Sequence, residues 1–164
     1  MSKKVIGIIV VAVLLIAVTV AVVAMRLSKV DVSEGKAATE MNLEELNEEI
    51  MGMAPFNEMA TMDIDESILV DVFQVDDAHV KNHIGKFPMM NVHASMYLII
   101  EVNDGKAEDV KENLEVYAKA YEATWERYLP EQYELVKDRK LGIQGNYVYL
   151  IIAESADEIE ALLK

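Results

Sequence analysis

His93-Ala-Ser-Met-Tyr-Leu-Ile-Ile-Glu-Val102, and after it Ala107-Glu-Asp-Val-Lys-Glu-Asn-Leu-Glu-Val-Tyr-Ala-Lys-Ala-Tyr-Glu-Ala-Thr-Trp-Glu-Arg-Tyr128, read as a strand followed by a long helix. In the first stretch Ala94, Met96, Leu98, Ile100 and Val102 alternate onto one face and His93, Ser95, Tyr97, Ile99 and Glu101 onto the other, which is the strand repeat. Asn103-Asp104-Gly105 supplies a turn. In the second stretch Val110, Leu114, Tyr117, Tyr121, Trp125 and Tyr128 recur every three or four residues and make one apolar helix stripe. Glu108 and Asp109 suit its first turn, where negative charge meets the positive end of the helix dipole. Pro130 is expected to close it.

Downstream, residues 133–141 and 146–153 read as two further strands joined by Gly142-Ile143-Gln144-Gly145. The last strand is apolar on both faces, so it is expected to be central or covered on both sides. Ser155 with Glu158 forms a capping-box pattern opening a final helix through Ile159, Leu162 and Leu163. Upstream, Asn42 with Glu45 makes the same pattern before Leu43, Leu46 and Ile50, and Gly52 to Pro55 weaken or end that helix. Residues 68–73 read as a turn or two of helix, and Asp76 as the cap of another helix through about Ile84, ended by Gly85 and Pro88. The expected domain, residues 42–164, is α+β: three strands or more, mostly antiparallel, with helices on at least one face.

Residues 5–25 form a separate unit of 21 uncharged residues in which Gly7 and Thr19 interrupt an aliphatic run. A helix of that length covers roughly 30 Å, the thickness of a bilayer's hydrocarbon core. The run exceeds the core of an ordinary cleaved signal, the rival reading, so it is expected to be a single-pass anchor in the lipid bilayer. The short basic head, residues 1–4, makes a signal-anchor, with the domain expected outside the cytoplasm. Residues 26–41, rich in Ser, Gly, Lys and Thr, read as a juxtamembrane linker.

Charge limits the partners. Residues 30–164 hold 29 acidic and 11 basic side chains. Such a surface repels nucleic acid and suits solvation or a basic partner. The chain has no cysteine, which excludes disulfides, thiolate ligands and a lipidated cysteine.

Pro88-Met-Met-Asn91-Val-His-Ala94, Tyr97-Leu-Ile-Ile, Trp125-Glu-Arg-Tyr128-Leu-Pro130-Glu-Gln-Tyr133-Glu-Leu-Val136 and Gly145-Asn146-Tyr147-Val148 resemble, in order and spacing, the bacterial domain-of-unknown-function family 4358. The likeness covers about residues 63–163. It implies a Gram-positive setting and an envelope protein held by a lipidated cysteine or an N-terminal helix. It implies no activity, cofactor or site residue.

The candidate ligands are few. His79 and His83 are four residues apart, a spacing zinc can use on a helix, but H-E-x-x-H is missing because Val80 follows His79. Asp63, Asp65 and Glu66, with Asp71, Asp76 and Asp77, concentrate carboxylates that suit Ca²⁺. A calcium loop counted from Asp65 needs glycine sixth and glutamate twelfth and finds Val70 and Asp76. Helix capping accounts for these acids more simply. The methionines read as adaptable packing and the Tyr117–Tyr121–Trp125–Tyr128 stripe as core. No G-x-S-x-G and no phosphate-cradling glycine loop occurs. The expected function is therefore a non-enzymatic, membrane-tethered envelope module that binds a protein or cell-wall partner through its acidic face. A divalent-cation-binding domain is the alternative, and an uncharacterised hydrolase stands behind it.

Overall fold

The computed structural model describes residues 41–164. The head, the anchor and all of the linker but Met41 lie outside the described residues. Among the described residues no helix is long and apolar enough to cross a membrane.

The centre is a five-stranded antiparallel sheet: β1 (Thr61–Asp63), β2 (Val80–Pro88), β3 (Met96–Val102), β4 (Lys140–Gln144) and β5 (Tyr147–Ile152), in the order β1-β2-β3-β5-β4. Helices α1 (Leu43–Met51) and α5 (Ala156–Leu162) cover one face. On the other lie α2 (Glu66–Asp71), α3 (Ala107–Trp125) and α4 (Pro130–Lys137). The α+β expectation holds, with helices on both faces. Alternation in β3 has a double meaning: Met96, Leu98 and Ile100 pack under α3, while Tyr97 and Ile99 pack under α1 and α5. Covered twice, the strand has apolar side chains on both faces, and all of β5 is likewise buried.

Local chemistry sets the element ends. The Asn42 side chain accepts from the Glu44 and Glu45 amides at 3.1 and 3.3 Å and starts α1, whose Leu43, Leu46 and Ile50 are buried. Asp65 starts α2 by accepting from the Ile68 amide at 2.9 Å. Gly145, with φ of +59°, is the first residue of the two-residue turn between β4 and β5, a place that favours glycine.

Several expectations are corrected. The helix expected from Asp76 to Ile84 is a single 3₁₀ turn, Asp77–His79, followed by β2. A register shift between Val80 and Asn82 breaks the strand period, which is why the sequence hides it. Gly85 ends no helix; a Cβ there would lie 2.8 Å from both the Tyr97 carbonyl oxygen and Ile64 Cδ1, so it lets β1 and β3 close around β2. Pro130 opens α4 rather than merely closing α3, because proline is pre-set for the first position of a helix. Residues 133–137 are accordingly helical and only Lys140–Gln144 is strand. Arg139 ties α4 to α3 through Glu122 at 2.7 Å. Gly142 lies inside β4, not in the turn, and a Cβ there would be 2.5 Å from the Tyr149 hydroxyl. Ser155 makes no cap; its hydroxyl donates to the Ala54 carbonyl at 2.7 Å and ties the start of α5 to the end of α1.

Candidate functional site

The β2–β3 hairpin turns over Met89–Ser95, and this loop reaches the C-terminal end of α3. Both backbone groups of Ala94 are held by side chains from beyond the hairpin. Gln132 Oε1 accepts from the Ala94 amide at 2.7 Å, and the Tyr121 hydroxyl donates to the Ala94 carbonyl at 3.2 Å. Inside the loop the His93 amide donates to the Met90 carbonyl, and at its start the Met89 amide donates to the Ala60 carbonyl. The loop is fixed at both ends, so what its outer side chains do is not a by-product of slack backbone.

Aromatic rings run beneath it. Tyr117 and Tyr121 stack at 5.5 Å, Tyr121 meets Trp125 edge-on at 6.0 Å, and Trp125 meets Tyr128 at 5.7 Å. Phe73 extends the series, 4.3 Å from Tyr117 and 5.6 Å from Phe87. Between the loop and the end of α3 lies a groove of about 530 Å³, lined by Phe87, Pro88, Met89, Met90, Asn91, His93, Tyr121, Thr124, Trp125 and Tyr128. Its volume falls in the range of small-ligand sites, roughly 300–1,000 Å³.

Two properties set this groove apart. Met89, Met90 and Tyr128 are 65, 53 and 53 % exposed, an apolar patch rather than scattered residues. No Asp, Glu, Lys or Arg lines it. Yet residues 41–164 hold 26 acidic and 10 basic side chains. The indole N–H of Trp125 is buried and makes no hydrogen bond. It lies close enough to the Tyr121 oxygen to oppose slightly the upward pKa shift that burial gives that phenol. Burial likewise holds the Tyr117 phenol well above its ordinary value, so both rings stay neutral.

Of the residues singled out as candidate ligands, Asp63, Asp65 and His83 are engaged elsewhere. Asp63 pairs with Lys86 at 2.6 Å. The Asp65 carboxylate caps α2 and accepts from the Ser67 hydroxyl at 2.6 Å, which with the Ile68 amide holds its pKa below the usual value. Glu66 sits in the first turn of α2. His79 ends the 3₁₀ turn and His83 lies in β2, 2.9 Å from the Ile64 carbonyl oxygen through Nε2, so the helical spacing of the two is lost. No group of three His, Asp or Glu side chains converges among the described residues.

The aromatic stripe, read as core, is core through Trp125, and only Tyr128 leaves it. Helix α3 stops at Trp125, and Tyr128 falls beyond it, on the surface. Phe87, Met89, Met90 and Gln132 gave no signal of a site in sequence, since nothing local says which helix a loop will meet. The signal lay in two of the recurring blocks, 88–94 and 125–136, which the fold brings together through Ala94, Tyr121 and Gln132. The block 145–148 lies at the other end of the sheet, where it is the β4–β5 turn and start of β5.

No curated protein and no solved structure matches the chain. Residues 55–153 match the family described as "Domain of unknown function (DUF4358)". The match takes in the whole sheet, α3 and every residue of the groove, and by it the chain belongs to the DUF4358 family.

Proposed function

We propose that this chain is a non-enzymatic, membrane-tethered module of the cell envelope, and that it binds an apolar segment of a protein partner in the groove between the β2–β3 loop and the end of α3. The carrying observation is the exposed, uncharged aromatic and methionine lining in a domain that is otherwise strongly acidic. Aromatic anchors and methionines are the residue types that supply contact area at interfaces. The acidic surface repels anionic molecules and keeps the domain soluble, and it is not itself the docking face. Met41, where the described domain begins, donates its amide to the Tyr147 hydroxyl at 3.0 Å, at the sheet end opposite the groove.

Selection of peptides from a random display library against the detergent-solubilised full-length chain tests the groove. Selected peptides are expected to lose binding to Met90→Lys and to keep it to Val116→Lys, a change on an exposed position of α3 away from the groove lining. Peptides indifferent to Met90→Lys would remove the reading. Protease treatment of intact cells tests the tether: degradation of the domain before lysis supports outward presentation, and degradation only after lysis refutes it.

A further inference from the structure

We propose that strand β4 joins two copies of this chain edge to edge, pairing antiparallel with β4 of a second copy about a two-fold axis at Gly142. The interface is separate from the groove and does not depend on it.

The register decides which backbone groups are free. Strand β4 is the last of the sheet, and among the described residues no strand pairs with its outer edge. The Val102 amide donates to the Asn146 carbonyl at 2.8 Å, and Val148, Leu150 and Ile152 stand opposite Ile100, Leu98 and Met96. Bonding direction alternates along a strand, so these even-numbered residues turn to β3, and Tyr147, Tyr149 and Ile151 turn to β4. Their partners are Gln144, Gly142 and Lys140. Leu141 and Ile143 are left with N–H and C=O directed outward, and no loop or helix backbone among the described residues meets them.

These two residues are complementary to themselves. Pairing centred on Gly142 sets Leu141 opposite Ile143 of the second copy, and Ile143 opposite its Leu141. Each such pair exchanges two bonds, so every outward group on both strands is used. A slip by two residues in either direction halves the number of such pairs. The side chains of Leu141 and Ile143, packed at the margin of the core under α3, meet as apolar cross-strand pairs. Gly142 has no room for a Cβ and puts no side chain at the axis. Lys140 faces Gln144, so no like charges oppose each other.

The contrast with the other edge supports this. Edges that stay single are blunted by shortness, exposed charge or proline. Strand β1 has three residues and ends in Asp63, whose side chain is 79 % exposed. Strand β4 has five, no proline and one charge, Lys140, which turns to Asp157 at 2.6 Å. The acidity of the domain opposes association of copies, but beside β4 it is offset. Lys137, Arg139 and Lys140 pair there with Glu134, Glu122 and Asp157.

Disulfide trapping of the full-length chain in detergent micelles tests the pairing, on a background without cysteine. Lys140→Cys and Gln144→Cys are made in separate chains, one of them tagged. In the proposed register positions 140 and 144 form a non-hydrogen-bonded pair with Cα atoms about 4.5 Å apart, within disulfide reach. Position 140 of one copy lies about 13 Å from position 140 of the other, and likewise for 144, which is beyond reach. Mild oxidation of the mixed variants should therefore give a disulfide dimer severalfold in excess of that from either variant alone. Ile143→Pro, added to both, removes an outward N–H but no bond to β5, and should lower that yield severalfold. A dimer formed equally by the single variants overturns the register, and no dimer in any arm overturns the pairing. Hydrogen exchange of the cysteine-free chain gives a second reading. The Leu141 and Ile143 amides should exchange more slowly as the number of chains per micelle rises. Protection that is independent of that number would mean that the edge is covered by the chain itself, and would overturn the proposal.

Discussion

Both faces of the sheet are covered by helices and rich in aromatic residues, but they are finished differently. Under α1 and α5 every tyrosine tip is met: Tyr97 donates to Asn47 at 2.8 Å, Tyr149 to Glu160 at 2.8 Å, and Tyr147 accepts from Met41 at 3.0 Å. Phe56 closes edge-on against Tyr97 at 4.9 Å and is fully buried. Under α3 the tyrosine tips are met as well, Tyr117 at Met96 and Tyr121 at the Ala94 carbonyl, but the aromatic series that begins as core at Phe73 runs out to Tyr128, which is half exposed. A face whose polar tips are all satisfied is packing. One that runs out to an exposed ring and two exposed methionines leaves apolar surface open.

The largest effect that separates the faces is cavity formation. Phe56→Ala is expected to cost about 3–5 kcal/mol in urea unfolding, since a fully enclosed ring leaves a void. Tyr128→Ala, of comparable size on paper, should cost under about 1 kcal/mol because half its ring already meets water. Similar losses from both would erase the contrast and make Tyr128 a structural residue. The next effect is overpacking. Gly142→Ala places a Cβ against the Tyr149 hydroxyl and should destabilise by about 1–3 kcal/mol, because that ring is held by Glu160 and cannot swing away freely. A neutral result would show that the packed face has slack.

How much of this was legible follows from which signals are local. The β3 and α3 patterns are strictly periodic, so their type came out as found, while β3 begins at Met96 rather than His93 and α3 ends at Trp125 rather than Tyr128. Strand β2 did not, because its shift at Val80/Asn82 breaks the period and Asp76 offers a convincing cap just before it. Pairing with β3 then decided the matter, and pairing is non-local. Residues 130–137 misled for a related reason: Pro130 ends one helix and begins another, and the apolar spacing of Tyr133, Leu135 and Val136 suits a short strand equally well. The groove was legible only as two blocks without a reason to meet. Its lips, Met89 and Met90, are indistinguishable in sequence from the packing methionine Met96, which is wholly buried.

Alkaline titration gives a smaller and more graded contrast. Burial first, and then the hydrogen bond to Glu160, push the Tyr149 phenol from 10.0 up to about 12. The folded state thus keeps a proton that the unfolded chain releases from pH 10 upward. The stability this contributes is complete below pH 10 and is lost as pH rises toward 12. Tyr97 and Tyr117 are raised in the same direction, mainly by burial, and share the slope. Unfolding midpoints measured from pH 9 to pH 12 should therefore fall less steeply in Tyr149→Phe than in the native chain. An unchanged slope would mean that the phenol is not held protonated by the packed face.

The smallest effect bears most directly on the difference between the faces, because it removes a polar tip from each. Tyr97→Phe deletes a hydroxyl that donates to Asn47, and should cost about 1 kcal/mol, the net worth of one satisfied bond plus an acceptor left without its donor. Replacing Trp125 by benzothienylalanine deletes an N–H that donates to nothing, at nearly constant volume. Its desolvation is unrewarded in the free protein, so the substitution should leave stability unchanged or raise it by up to about 1 kcal/mol. Opposite signs in paired thermal unfolding would mark the Tyr97 tip as a satisfied bond and the indole N–H as a donor without a well-aligned one. If the tryptophan analogue destabilises as much as Tyr97→Phe does, the indole N–H has a partner within the folded chain. The Tyr121 hydroxyl oxygen beside it would then be that partner.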